Sequence, residues 1–266
     1  MLSNITLGQY FPGDTAVHRL DPRTKILLIL AIMILIFAIT DFAAYGILAL
    51  FFLTVVLTAR LNILAVIKSV KPLWVIILIT LLVHFVSHKG EVLYEFFIFS
   101  ITREGIEAGI LMSVRIVFLI LFSSLLTMTT SPLELTDGLE KLLRPFKRFG
   151  LPAHELAMMM TIALRFIPTL LGETERIMMA QSARGAEFSS GPFMRRAKNM
   201  LALIVPLFLS AFRRADELAT AMEARCYHGG EGRTRMYQLA FSSIDAYACI
   251  VVILVGCIMG YAKWYV

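Results

Sequence analysis

Two short motifs in the chain each place an arginine between an alanine and a small residue. They read Ala183-Arg184-Gly185 and Ala224-Arg225-Cys226, and each follows a stretch with helical spacing of apolar and charged residues. A guanidinium at the C-terminal end of a helix interacts favourably with the helix dipole, by about 0.3–1 kcal/mol. It can also pair bidentately with carboxylates or carbonyls of another protein. Each motif is therefore either a simple helix terminus or a plug for a groove on a partner.

The segments that end in these motifs match each other at an offset of 41 residues. The matching pairs are Glu175 and Asp216, Ile177 and Leu218, Ala180 and Ala221, Ala183 and Ala224, and Arg184 and Arg225. Gly185 suits the left-handed position that follows a helix. Because Cys226 does not, we expect the second helix to continue to Tyr227–His228 and to stop at Gly229-Gly230.

Both motifs fall within residues 131–236, which open with a helix-start signature. Ser131-Pro132-Leu133-Glu134 has a capping serine, a first-turn proline and a glutamate placed to close a capping box. Leucines at helical spacing then lie opposite charged residues, which predicts an amphipathic helix that stops near Pro145 and Gly150. One interpretation of this piece is an interfacial helix lying on lipid.

Two longer helices are predicted next, each with an apolar first half and a charged second half. The apolar halves are Leu156–Leu171 and Met200–Phe212, and the charged halves are Glu173–Gly185 and Arg213–Cys226. Each apolar half contains a proline, and its uninterrupted runs are too short to span hydrocarbon comfortably. We expect two bent helices that begin at the membrane and project into the cytoplasm. Additional transmembrane spans are the alternative.

Composition places the whole chain in a membrane. Of its 266 residues 58% are hydrophobic and 17% charged, and the mean hydropathy is +0.78. One soluble domain of this length cannot bury so much apolar surface. Five apolar stretches are candidates to cross a bilayer: Ile26–Thr40, Phe42–Ala59, Pro72–Val86, Ile106–Met128 and Ile244–Tyr261. We predict an all-α membrane protein with about five transmembrane helices and long amphipathic cytoplasmic helices.

The distribution of lysine and arginine predicts the orientation. Residues 131–236 hold 15 of the 25 basic residues, and the N-terminal segment carries Arg19, Arg23 and Lys25. Since cytoplasmic loops carry the excess of positive charge, the N-terminus and residues 131–236 are predicted to be cytoplasmic and the C-terminus external. The predicted divisions are a four-helix membrane domain at 1–130, a cytoplasmic domain at 131–236 and a last transmembrane helix at 237–266.

The sequence lacks the residues that several classes of function require. The sequence has no G-x-x-x-x-G-K-[ST] phosphate cradle and no nucleophile elbow or metalloprotease helix, so we expect no catalytic site and no cofactor. The 15 basic residues of 131–236 are mixed with 11 acidic ones, which disfavours a nucleic-acid partner. A conventional permease that binds its own substrate is the alternative function. It would need convergent polar residues within spans that are nearly bare of them.

Three polar residues in or near the spans have competing interpretations. Arg115 is either a functional intramembrane charge or the partner of Glu107 in an internal ion pair. His84 and His88 are one helical turn apart, which is metal-ligand spacing, but no third ligand lies near them in the sequence. No metal site is therefore predicted.

The remaining motifs resemble a known family. Gln9-Tyr10-Phe11-Pro12-Gly13-Asp14, His18-Arg19-Leu20-Asp21-Pro22-Arg23-Thr24-Lys25 and Leu164-Arg165-Phe166-Ile167-Pro168 are similar to segments of the transmembrane coupling component (EcfT) of energy-coupling factor transporters. The two Ala-Arg-Gly-type tripeptides resemble the signature of that family. The resemblance covers essentially the whole chain.

The resemblance implies a subunit of a modular ABC importer for vitamins or transition-metal ions in a bacterial or archaeal cell membrane. Such a subunit scaffolds two cytoplasmic ATPases and a separate substrate-binding membrane protein, the S component, and is not itself an enzyme. The resemblance implies that six residues of this chain dock on the ATPase subunits: Ala183, Arg184, Gly185, Ala224, Arg225 and Cys226. Cys226 departs from the motif, and the resulting unlike tips are compatible with two non-identical ATPases.

Overall fold

Helices make up nearly all of the secondary structure. The computed structural model describes residues 10–39, 41–87, 92–96, 99–188, 192–229 and 239–265, with side chains at all of these except 86–101 and 262–265. The described residues form two short 3₁₀ helices, Lys71–Leu73 and Arg144–Phe149, and nine α-helices: α1 Pro22–Ala38, α2 Phe42–Thr58, α3 Ile63–Lys68, α4 Trp74–Ser87, α5 Arg103–Thr129, α6 Pro132–Leu143, α7 Ala153–Ala183, α8 Phe193–Ala224 and α9 Ser243–Tyr265. The protein is an all-α membrane protein, as predicted.

One small feature is not helical. Strands β1 (Val92–Phe96) and β2 (Phe99–Thr102) pair antiparallel between α4 and α5. The sequence analysis did not predict them. A single two-stranded pairing is a short connection and leaves the helical class unchanged.

Four helical stretches in the described ranges are long and apolar enough to cross a membrane. They are Ile63–Phe85, Arg103–Thr129, Ala153–Ala183 and Ser243–Tyr261, and Phe42–Thr58 is apolar but shorter. Three of the four contain most or all of a predicted span. The stretch Ala153–Ala183 lies in the segment predicted to be cytoplasmic, so the alternative of an additional span there meets the length and composition criteria.

The chain divides into two compact units. One comprises residues 8–138 and 238–266, and the other is built around residues 139–237. In the first unit α5 packs against α1 and α4, while α9 packs against α1 and α2. Ile36, Leu48 and Phe122 are at most 1% exposed in its centre, and the Phe52 and Phe122 rings meet edge to face.

The outward faces of the first unit are apolar. Leu30, Ile34 and Phe37 of α1 and Ile79 of α4 are each more than half exposed. In water such surfaces would oppose folding, whereas against lipid chains they cost nothing. Burial thus agrees with composition that this unit is solvated by a bilayer.

The helix start predicted at Ser131 is confirmed in atomic detail, and α1 begins with a cap of its own. The Ser131 N–H donates to Glu134 Oε2 at 3.0 Å and the Glu134 N–H donates to Ser131 Oγ at 3.2 Å, which is the capping box at the start of α6. Asp21 caps α1, where its Oδ1 accepts the Arg23 N–H at 2.9 Å, and Pro22 occupies the first helical position. Local hydrogen bonding therefore fixes both starts.

Candidate partner-docking site

The first arginine motif ends α7 in a complete Schellman turn. Arg184 is the C-cap, and Gly185 follows with φ +87°. The Gly185 N–H donates to the Ser182 carbonyl at 2.9 Å and the Ala186 N–H donates to the Gln181 carbonyl at 3.0 Å. These two bonds satisfy carbonyls that the helix end would leave unpaired. The prediction that Gly185 adopts the left-handed position is confirmed.

The second motif ends α8 in the same way, which corrects the predicted boundary. Arg225 is the C-cap of a helix that ends at Ala224 rather than near His228. Cys226 has φ +55° and its N–H donates to the Glu223 carbonyl at 2.9 Å, while the Tyr227 N–H donates to the Met222 carbonyl at 3.1 Å. The two bonds of the turn stabilise a conformation that a non-glycine residue adopts at a conformational cost.

Both arginine motifs are exposed and available for a partner. All six residues of the two motifs are exposed in the structure. Within the described ranges, neither the Arg184 nor the Arg225 guanidinium makes an ion pair. The two tips therefore present the same backbone turn and an uncommitted guanidinium each, and they differ in the side chain that follows the arginine.

The helices α7 and α8 pack against each other at equivalent points of the 41-residue repeat. Glu173 of α7 accepts a hydrogen bond from Arg214 of α8 at 3.5 Å, and these two residues are 41 positions apart. Each tip arginine lies eleven residues beyond its member of this pair. At 1.5 Å per residue, each helix extends about 16 Å from the pair to its tip.

Both prolines lie inside continuous helices. Pro168 is within α7 and Pro206 is within α8, and neither ends its helix. A proline removes one backbone hydrogen bond and marks a bend point. In each helix the proline precedes the Glu173–Arg214 contact, so the arm beyond that contact is free of proline.

A second cluster, missed by the sequence analysis, joins the starts of α1 and α9. Asp245 Oδ1 accepts the Asp21 N–H at 2.8 Å, and Asp245 Oδ2 accepts the Ser242 N–H at 2.7 Å. Arg23 donates through Nε and Nη2 to the two oxygens of Asp21 at 3.0 and 2.7 Å. Its guanidinium carbon also lies 4.0 Å from the centre of the Phe241 ring. The motif around Asp21 is thus a structural junction.

The charge state of Asp21 follows from this junction. Its side chain is 1% exposed, and burial by itself raises the pKa of a carboxyl group. The hydrogen bonds from the Arg23 side chain and backbone, with the positive charges of Arg23 and Lys25, outweigh burial and hold the pKa of Asp21 below its ordinary value. Asp21 is therefore ionised at neutral pH.

Lys25 ties the same junction to the end of α5. Its Nζ donates to the carbonyls of His18 and Thr129, both at 2.9 Å, and the residue is 4% exposed. The Phe11 N–H donates to the Met128 carbonyl at 3.0 Å. These bonds hold the segment before α1 against the last turn of α5, and they explain why a lysine is tolerated in a buried position.

Arg115 does not pair with Glu107, the partner considered for it in the sequence. Its Nη2 donates to the Ile39 carbonyl at 2.7 Å and its Nε donates to the Tyr45 hydroxyl at 3.2 Å. Glu107 pairs instead with Arg103 at 3.3 Å, so the interpretation of an Arg115–Glu107 pair is wrong. The guanidinium satisfies a carbonyl at the end of α1, since a helix terminus leaves such carbonyls without helical partners.

One histidine of the His84/His88 pair faces a carbonyl of its own helix. His84 Nδ1 lies 2.8 Å from the Thr80 carbonyl one turn earlier in α4. His88 lies outside the described residues. Across the part of the chain that the structure describes, no three His, Cys, Asp or Glu side chains are grouped so that they could hold a metal ion.

Comparison with known proteins gives a consistent result. The family model described as cobalt transport protein, CbiQ, matches residues 13–236. The chain is 57% identical over 264 residues to the energy-coupling factor transporter transmembrane protein EcfT of Acidaminococcus fermentans, covering 99% of this chain and 98% of that protein. It is 52% identical over 265 residues to the EcfT of Thermosediminibacter oceani (99% and 100%) and 44% identical over 264 residues to that of Bacillus subtilis (99% and 100%).

Proposed function

The chain belongs to the EcfT family of energy-coupling factor transporter transmembrane proteins, and from this membership we propose a specific division of labour. The chain is the transmembrane scaffold of an ABC-type importer. It joins two cytoplasmic ATPase subunits, which are non-identical, to a separate substrate-binding S component that carries a vitamin or a transition-metal ion. This chain supplies no catalytic group and holds no cofactor.

We further propose that the α7 and α8 tips are the docking points for the ATPases. The observation that carries the proposal is the pair of equivalent tips: two exposed arginines on identical turns, each eleven residues beyond the Glu173–Arg214 contact. A helix tip of this shape fits a groove, in which the guanidinium pairs with carboxylates or carbonyls of the partner. The unlike residues Gly185 and Cys226 suit two grooves of different shape.

The proposed mechanism is mechanical. ATP binding closes the two ATPase subunits, and their grooves then move the two tips relative to each other. Helices transmit such a displacement over their length because their backbone hydrogen bonds are all made internally. The bends at Pro168 and Pro206 pass the motion to the S component.

The orientation in the membrane is part of the proposal. Residues 131–236 and the N-terminus are cytoplasmic and the C-terminus is external, so that residues 1–130 and 237–266 form the membrane domain. The charge distribution supports this assignment. The contacts of Asp21 with Asp245 and of Lys25 with Thr129 support it too, because they gather the start of α1, the start of α9 and the end of α5. These are three ends that the proposed topology assigns to one membrane surface.

The experiment is co-purification of the two ATPases with arginine variants. We expect Arg184→Ala and Arg225→Ala each to reduce recovery of ATPase and substrate uptake, and the double variant to reduce both further. Removing one partner of a desolvated charge pair costs about 2–5 kcal/mol. Arg176→Ala and Arg213→Ala are matched controls, because they remove exposed arginines of the same two helices away from the tips. Undiminished recovery together with normal uptake in the double variant would refute the docking role.

The alternative of a permease that binds its own substrate has no structural support. Arg115, the arginine inside a predicted span, would be a candidate for such binding, but its side chain is engaged by the Tyr45 hydroxyl and the Ile39 carbonyl within its own unit. The docking function is therefore the better account of the described residues.

A further inference from the structure

Between α6 and α7 the chain forms an exposed elbow, residues 144–150. All seven of its residues are exposed. We propose that this elbow is a peripheral membrane anchor, which inserts the rings of Phe146 and Phe149 into the headgroup layer of a bilayer and binds anionic lipid phosphates through its cations. The inference is separate from the docking role of the tips.

The elbow exists because of two residues that helices avoid. Pro145 lacks the N–H that α6 needs to continue, and the chain tightens into a 3₁₀ helix over Arg144–Phe149. Gly150 then adopts φ +85°, and its N–H donates to the Lys147 carbonyl at 3.0 Å. The elbow is thus a defined turn held by backbone hydrogen bonds.

The 3₁₀ geometry separates apolar from charged side chains. With about three residues per turn, positions three apart lie on the same edge of the helix. Phe146 and Phe149 therefore share one edge, and their ring centres are 6.3 Å apart. Their residues are 53% and 86% exposed. The two neighbouring edges carry Arg144 with Lys147, and Arg148.

The charge of this region has one sign. Lys141, Arg144, Lys147 and Arg148 follow one another in the sequence, and no acidic residue occurs between Glu140 and Glu155. Cations beside an anionic leaflet are attracted to it, and long side chains hold the charge in the headgroup layer while their stems lie along apolar surface. In a membrane interface, cationic side chains lie among the headgroups and aromatic rings lie deeper. The separate aromatic and cationic edges of the elbow fit this arrangement.

A bilayer is the occupant that this arrangement favours. The elbow ends three residues before α7, a helix that is long and apolar enough to cross a membrane, so an apolar surface suited to lipid follows the elbow directly along the chain. A protein groove that covered the two rings would also have to desolvate the neighbouring guanidinium groups. In a bilayer, by contrast, the rings lie below the headgroups while the cations remain among the headgroups and stay hydrated.

A tryptophan placed at the tip of the elbow tests the proposal. In a background where Trp74 and Trp264 are replaced by Phe, Phe149→Trp provides a single reporter at a position that is 86% exposed. The full chain is reconstituted in nanodiscs of phosphatidylcholine, into which brominated phosphatidylglycerol or, in a parallel series, brominated phosphatidylcholine is titrated. We expect blue-shifted emission and quenching by the bromines. The dependence of quenching on lipid composition gives the binding constant of phosphatidylglycerol at the elbow relative to that of phosphatidylcholine, and this ratio should exceed one.

Removing two of the elbow cations should weaken this lipid preference. Arg144→Gln with Arg148→Gln is expected to lower the relative binding constant by roughly fivefold per cation removed. Arg195→Gln with Arg196→Gln removes the same charge from exposed positions at the start of α8 and should leave the constant unchanged.

Three results would overturn the proposal. The first is emission typical of water with no quenching by bromine. The second is quenching that is independent of headgroup charge and equal in both double variants, which would indicate contact with chains without headgroup recognition. The third is a blue shift that occurs only when the ATPase subunits are added, which would identify a protein as the occupant.

Discussion

At the scale of single residues, the tips of α7 and α8, which are the proposed docking points, differ at the position after the arginine. Gly185 and Cys226 both have positive φ, at +87° and +55°. A Cβ at Gly185 would meet no atom within 4 Å, so the cost of a side chain there is conformational rather than steric. Because an L-residue loses about 1–2 kcal/mol in the left-handed region, the α8 tip holds strain that the α7 tip lacks.

This difference predicts opposite effects for two substitutions. Cys226→Gly should stabilise the last turn of α8 by about 1 kcal/mol, and Gly185→Ala should destabilise the last turn of α7 by a similar amount. Hydrogen exchange of peptides that contain the Tyr227 or Ala186 amide reports each turn directly, since these amides close the two turns. Protection should rise in the first variant and fall in the second.

Gly172→Ala is the matched control for these measurements. Gly172 lies inside α7, its φ is not positive, and a Cβ there also meets no atom within 4 Å. Alanine at a helix interior position is favoured over glycine by about 1 kcal/mol, so this variant should gain stability. A loss of protection in Gly172→Ala, or equal protection of Cys226→Gly and the wild type, would show that backbone conformation does not set the stability of the tips.

The roles of single residues could be predicted from the sequence where those residues act on neighbouring backbone groups. Ser131, Glu134 and Gly185 act on amides or turns within a few positions, so their roles follow from the neighbouring residues. The sequence-based prediction was wrong for Cys226, because the turn at that position is held by bonds to Met222 and Glu223 that outweigh the preference of the side chain. It missed Asp245, whose oxygen accepts the Asp21 N–H across 224 positions.

At the scale of elements, the ends of three helices meet at one junction. Asp21 and Asp245 join the starts of α1 and α9, and Lys25 joins α1 to the carbonyl of Thr129 at the end of α5. Each of these ends has backbone groups without helical partners. Charged side chains of the junction satisfy several of these groups and so add polar ties between helices that also share an apolar core.

The Asp21–Arg23 pair within this junction predicts a pH-dependent stability. Because the pKa of Asp21 is lowered on folding, its contribution is present above the ordinary pKa of an aspartate, about 3.9. It is lost as the pH falls through the lower, folded value. Asp21→Asn keeps a capping oxygen but loses the charge, and should reduce the free energy of unfolding at pH 7 by about 2 kcal/mol.

Thermal unfolding in detergent at pH 7 and near pH 3 measures this effect. The difference between wild type and Asp21→Asn should shrink at the lower pH. Asp41→Asn is the control, since Asp41 occupies the N-cap of α2 without a side-chain capping bond and should show no such difference. A stability gap for Asp21→Asn that is the same at both pH values would contradict the assignment of the ion pair.

Prediction of elements was limited by contacts that no local pattern encodes. The long helices follow from apolar periodicity and length, and α5 and α7 are each a single continuous element as expected. The antiparallel strands β1 and β2 lie in a short, mixed connection where periodicity is weak. The Arg115–Glu107 interpretation failed because the C-terminus of α1 supplies a closer acceptor, the Ile39 carbonyl.

At the scale of the whole molecule, the two units have different characters. The unit of residues 8–138 and 238–266 has a buried core around Phe122. In the unit of residues 139–237, α7 and α8 bury very few side chains. A helix pair with little core of its own depends on partners or lipid for much of its burial. This contrast suits a scaffold whose second unit is completed by other subunits and by the bilayer.

The distance between the two tips in the assembled complex tests the central claim most directly. Spin labels at Ser182 and Glu223 occupy equivalent exposed positions two residues before each arginine, in a background in which Cys226 is replaced by Gly and Cys249 and Cys257 by Ser. Double electron–electron resonance should show a distribution that narrows when the two ATPases are added and shifts when ATP binds. A distribution that is the same for the chain alone, with the ATPases and with ATP would contradict the account.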